Sequence, residues 1–130
     1  MAKFKISSNL ISNEDNLNIE TKGIKTDNKI IYKENEISVT IVVLNNRIEM
    51  KRVHPDYIVE LVFEKDKETL SSYKFVGGNK EFKLKTTTNK LVASDKKIEI
   101  DYKLEDNNFK YKLELEDLWR NYWNKKYKMQ

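Results

Sequence analysis

Cysteine is absent from this chain of 130 residues, and histidine and proline each occur once. Without thiols there is no disulfide framework, no thiolate metal site and no cysteine nucleophile. A reducing cytoplasm is the expected setting. Glycine is also scarce, at three residues, so most tight turns must be built by Asn and Asp. Long apolar runs are missing as well. The longest, Val39 to Leu44, is interrupted by Thr40 and falls far short of the roughly 20 residues a membrane-spanning helix needs. The opening MAKFKISSNL is basic, but Phe4, Ile6 and Leu10 alternate with polar neighbours, which is a strand pattern rather than a secretory one. Neither export by a standard signal nor a membrane location is expected.

Charge is what the chain has in quantity. Charged residues make up 35%, with 25 Lys+Arg against 21 Asp+Glu for a net charge of +4. The two signs are interleaved rather than gathered into a basic stripe, so the pattern reads as a solvated face and not as a nucleic-acid footprint.

Period-two alternation runs almost end to end. Phe4, Ile6, Ser8 and Leu10 share one face, and Asn13 to Asn16 marks a turn. Leu17, Ile19 and Thr21 begin a second strand that should end near Gly23, with Asp27-Asn28 as the next turn. Ile30, Tyr32 and Glu34 then share a face, followed past Asn35-Glu36 by Ile37, Val39, Ile41 and Val43. Asn45-Asn46 is a candidate type I′ hairpin, since Asn tolerates positive φ. Ile48, Met50 and Arg52 follow, and His54-Pro55-Asp56 breaks the strand because proline cannot donate to a ladder.

Tyr57, Val59, Leu61 and Phe63 form the next face, then a charged turn at Lys65 to Lys67 leads into Leu70 to Phe75. Gly77-Gly78-Asn79 is the clearest hairpin signal. Phe82 and Leu84 lead into the threonines 86 to 88 and on to Leu91. Ile98, Ile100, Tyr102 and Leu104, then Phe109, Tyr111, Leu113 and Leu115, alternate with charged residues around a turn at Asp106-Asn107-Asn108. The period changes at the end. Leu115, Leu118, Trp119, Tyr122 and Trp123 fall at helical spacing with Lys125 and Lys126 behind them, which predicts a short amphipathic helix over about 116–127.

Nine or ten strands on short turns must close or split into two layers. Consecutive hairpins favour a single all-β domain over 1–130, an antiparallel up-and-down barrel with its strands over about 3–116.

The order of several short elements carries a resemblance. They are Glu20-Thr21-Lys22-Gly23, Tyr32-Lys33-Glu34, Arg52 at a strand end, Ser72-Tyr73 before Gly77-Gly78, the run from Lys83 to Leu91, and the run from Lys97 to Leu104. From about Lys3 to Glu116 the chain resembles the YwiB-like proteins, calycin-like β-barrels of uncharacterised function in Gram-positive bacteria and their relatives. The resemblance implies a lipocalin-related barrel with an interior able to hold a ligand. It implies no reaction.

Catalytic chemistry finds no footing in the residues. His54 sits before a proline with no Ser or Asp motif to frame it, and Glu14-Asp15 and Asp101 lack calcium-loop spacing. Gly77-Gly78 lacks the lysine and following helix of a phosphate loop. No enzyme activity, metal or cofactor is expected. More informative are ionisable residues on apolar faces. Arg52 follows Ile48 and Met50, and Glu34 follows Ile30 and Tyr32. Buried charge is costly unless paired. An Arg52–Glu34 pair would satisfy both, or Arg52 could meet an anionic ligand bidentately.

Tyr73 and Tyr102 point inward by the same alternation, so the candidate binding set is Tyr32, Glu34, Arg52, Tyr73 and Tyr102. The function expected first is binding of a small anionic or amphipathic ligand. The alternative is a protein-interaction module, a homodimer included. It would use an exposed strand edge or the aromatic residues Trp119, Tyr122 and Trp123 of the C-terminal helix, which otherwise plug one end of the barrel.

Overall fold

The computed structural model describes residues 2–13 and 15–118. Ten strands follow one another: β1 (Ala2–Ser12), β2 (Asn16–Thr26), β3 (Lys29–Glu34), β4 (Ile37–Leu44), β5 (Arg47–Val53), β6 (Tyr57–Glu64), β7 (Glu68–Phe75), β8 (Glu81–Ala93), β9 (Lys97–Leu104) and β10 (Asn107–Asp117). Each pairs antiparallel with its neighbour in sequence, and β1 pairs with β10 from Phe4↔Asp117 to Ser12↔Phe109, which closes an up-and-down barrel. Closure removes the two free edges that an open sheet would leave.

The alternation places its apolar set inside. Ile6, Val39, Ile41, Ile48, Phe63, Ile98, Ile100 and Leu113 are fully buried, each contributing on the order of 1.5–3 kcal/mol through removal from water. On the outer face the charges pair. Lys90 and Lys97 hold Glu99 at 2.8 and 3.1 Å, and their hydrogen bonds lower its carboxyl to about 2.

Three local expectations change. Gly23 does not end β2 but lies buried within it, opposite Phe4 on one side and Tyr32 on the other. A side chain there would collide with the Ile6 side chain and the Ile31 carbonyl, so the glycine serves close packing rather than termination. At Asn45-Asn46 only Asn46 takes positive φ, at 59°, whereas a type I′ turn needs both residues there. The last hairpin turns at Glu105-Asp106, with Glu105 at φ 51°, and Asn107 already belongs to β10.

β10 also continues through Asp117. The two residues 116 and 117 that open the predicted helix are therefore strand, held by pairing with Lys5 and Phe4. Leu118 is the last described residue, and the remainder of that segment from 119 on, with Trp119, Tyr122 and Trp123, lies outside the described residues. Among the described residues no helix is long and apolar enough to cross a membrane.

Pairing is uneven around the wall. β2 meets β3 only over Gly23–Thr26, so Asn16–Lys22 is paired with β1 alone. Between β6 and β7 the ladder stops at Glu60↔Ser72. Beyond it the Val62 N–H donates to Ser71 Oγ at 3.0 Å and the Thr69 hydroxyl donates to the Val62 carbonyl. Buried Ser71 thus replaces a missing ladder bond and shares a 2.7 Å hydrogen bond with the Thr86 hydroxyl. A bulge between Thr88 and Lys90 then moves the inward face of β8 from even to odd positions, which brings Leu91 against the core.

Candidate functional site

The polar interior gathers at the barrel end where β3, β5, β7 and β9 finish. Tyr32, Val39 and Arg52 stand in one row across β3, β4 and β5, with Glu34 two residues beyond Tyr32 on the same face. Val39 is short enough for Arg52 to reach across β4. Its guanidinium donates to Glu34 Oε2 through Nη2 and to Oε1 through Nη1 at 3.4 Å. Side-chain exposure is 16% for Arg52 and 5% for Glu34. Burial works against the Arg52 charge, but the hydrogen bond and charge of Glu34 outweigh it and hold the guanidinium pKa above its usual value.

The Tyr32 hydroxyl donates to Glu34 Oε1 at 3.1 Å and lies 2.7 Å from the Tyr111 hydroxyl. A carboxylate paired with arginine only accepts, so Tyr32 spends its single proton on Glu34. The Tyr111 hydroxyl is therefore the donor to Tyr32. Protons run in one direction, from Tyr111 to Tyr32 to Glu34. Burial, followed by the nearby Glu34 charge, pushes the Tyr32 hydroxyl well above the ordinary tyrosine range. Burial does the same to Tyr111.

Above this network lies a half-open cavity of about 370 Å³. Met50, Val59 and Leu61 form apolar wall, and Arg52 is the one charged side chain among the described residues that line it. Two stacked aromatic pairs face it, Tyr57 on Tyr73 with centroids 5.4 Å apart and Tyr102 on Phe109 at 5.2 Å. The Tyr102 hydroxyl has no hydrogen-bond partner among the described residues. Burial pushes it up to about 12. A second depression, of about 260 Å³, sits at the opposite end between Lys25, Asn28 and Asp95, apart from the tyrosines.

Of the five residues expected from the sequence, Arg52, Tyr73 and Tyr102 line the cavity. Tyr32 and Glu34 lie behind Arg52 and hold it in place, so theirs is a supporting position. The Arg52–Glu34 ion pair forms, and Arg52 also lines the cavity. Tyr111 was not singled out, although it sits on the inward face of its strand by the same alternation as Tyr102. Its partner Tyr32 is three strands away around the wall, and no periodicity reports a contact across a barrel. His54 stays a turn residue. Its ring stacks on Tyr57 at 4.5 Å, and its Nδ1 accepts the Asp56 N–H at 3.0 Å. Among the described residues no three His, Asp or Glu side chains converge to hold a metal ion.

No curated protein matches the chain. The crystal structure of the YwiB protein from Bacillus subtilis is similar, with a TM-score of 0.65 at 18% identity over 88% of this chain and 89% of that one. At that identity the likeness is one of fold. The family described as Domain of unknown function (DUF1934) matches residues 4–116. That span is nearly the whole barrel, and the chain belongs to this family.

Proposed function

We propose that this protein is a non-catalytic binding barrel that takes a small amphipathic molecule into the cavity at its open end. The observation that carries the reading is the cavity of about 370 Å³, within the roughly 300–1,000 Å³ of small-molecule sites. It joins an apolar wall to a few convergent polar groups. Arg52 and the Tyr102 hydroxyl, which has no partner among the described residues, would orient the polar head, while Met50, Val59 and Leu61 would receive the apolar body. The resemblance to calycin-like barrels, whose interiors hold ligands, supports the same reading, and we place the protein in the cytoplasm.

The test combines native mass spectrometry of gently purified protein with binding of N-phenyl-naphthylamine, a neutral dye that brightens in apolar pockets. Wild-type protein is expected to light the dye, and Val59→Trp, which fills the cavity, is expected to lose most of that signal while keeping its β-sheet circular dichroism. A dark dye together with only the apo mass would sink the reading.

A second reading rests on the rim. Phe75, Val76 and Phe82 are exposed at the β7–β8 hairpin, and Phe75 meets Phe82 edge to face at 6.4 Å. Exposed aromatics of this kind suit a partner surface, here a second copy of the chain. Sedimentation as a dimer that Phe82→Ser converts to monomer would favour it.

A further inference from the structure

We infer that the cavity selects a neutral, flat ring bearing an adjacent hydrogen-bond acceptor and donor, as in a lactam or ring amide, in preference to a carboxylate. The inference rests on the binding reading above and names its ligand class.

The first argument is charge. Arg52 is the cavity's charged lining residue, but Glu34 lies directly behind it in a buried ion pair. The pair is neutral as a unit. An entering anion would be drawn by the guanidinium and repelled by the carboxylate, and would lose its hydration in the process. A neutral head escapes both penalties.

The second argument is the direction of the protons. Of the five N–H groups on a guanidinium, two go to Glu34, so Arg52 still presents donors to the cavity. Tyr111 also lines the cavity, and with its proton spent on Tyr32 it has only an acceptor to offer there. A head that fits both must accept toward Arg52 and donate toward Tyr111. Carboxylates lack the donor, whereas a lactam edge carries both groups side by side. Tyr102, without a partner among the described residues, can take either role.

Shape is the third argument. The pairs Tyr57–Tyr73 and Tyr102–Phe109 are near-parallel, with interplanar angles of 17° and 14°. Tyr57 is already stacked by His54 as well as Tyr73, so the flat apolar surfaces a planar ring can stack on are those of Tyr73, Tyr102 and Phe109 along the cavity lining.

The experiment displaces N-phenyl-naphthylamine with two fused-ring probes of similar size, carbostyril (a neutral lactam) and naphthoate (an anion). Carbostyril is expected to displace the dye at about tenfold lower concentration, the ratio that one net hydrogen bond of roughly 1.4 kcal/mol supplies. In Tyr111→Phe that advantage should fall about tenfold, because the acceptor is gone. In Glu34→Gln the preference should reverse, since Arg52 loses its counter-charge. Should Glu34→Gln not fold, Tyr111→Phe decides. Naphthoate displacing the dye better from wild-type protein, or a Tyr111→Phe ratio equal to wild type, overturns the lactam reading while leaving a binding cavity in place. A dye that never binds overturns both.

Discussion

Gly23 stands directly opposite Tyr32 across β2 and β3, and a methyl group on it would come within 3.0 Å of the Tyr32 Cβ and 2.7 Å of the Ile31 carbonyl oxygen. Backbone cannot yield as a side-chain tip can, so the strands themselves would have to part. Gly23→Ala is expected to cost at least the roughly 1–3 kcal/mol of an overpacked core, and to shift Tyr32 away from Tyr111. Urea unfolding reads the first effect and the nuclear magnetic resonance shifts of the tyrosine rings read the second. Wild-type stability in the variant would count against this packing.

Arg52→Met leaves Glu34 nearly buried with Tyr32 as its remaining hydrogen-bond partner. Breaking a buried pair from one side costs roughly 3–5 kcal/mol, and the position of Arg52 beside an open cavity puts this case toward the lower end. Adding Glu34→Leu removes the stranded charge and should regain most of the loss. If the double variant is no more stable than Arg52→Met alone, desolvated charge is not what the pair relieves.

Thr88 Oγ1 is enclosed without a hydrogen-bond partner among the described residues. An unmet buried hydroxyl carries a desolvation penalty on the order of 1–3 kcal/mol. Thr88→Val keeps the shape and the branching at Cβ, so it is expected to raise stability by about 1 kcal/mol. A lower urea midpoint would show that the hydroxyl has a partner after all.

Alkaline conditions should unfold the barrel through its tyrosines. Tyr102 keeps its proton up to about 12, against roughly 10 in an unfolded chain. Between those values the folded state holds a proton that the unfolded state has lost, so stability falls as pH rises. The contribution is present in full below about pH 10 and is lost as the folded group ionises. It amounts to on the order of 3 kcal/mol for Tyr102, and Tyr32 and Tyr111 act in the same direction. Urea midpoints measured across this window alongside tyrosinate absorbance check it. A flat midpoint would contradict it.

The inward set was legible residue by residue because a pleated strand turns successive side chains to opposite faces. Ile48, Met50 and Arg52 could be assigned to one face without knowing what lay across from them, and so could Ile98, Ile100 and Tyr102. The misread places are those where a neighbouring strand decides. Gly23 resembles a stop signal in the sequence, but Ile6, Ile31 and Tyr32 crowd it in the barrel. Asn107 resembled a turn residue although pairing with Leu104 makes it strand. The passage of Leu91 to the inward face depends on a bulge that alternation alone does not contain.

The site divides in the same way. Local alternation was enough to choose the all-β class, the hairpin order and the unusual inward charges Glu34 and Arg52, because side-chain direction in a strand is a property of its own backbone. Closure of β1 on β10 decided the rest. It brought Tyr111 to Tyr32 from 79 residues away and thereby set the direction of the protons. Pairing across β3, β4 and β5 put Tyr32 and Glu34 behind Arg52 rather than on the cavity wall. Contacts across a barrel depend on how the whole sheet curls, and a two-residue period carries no information about that curvature.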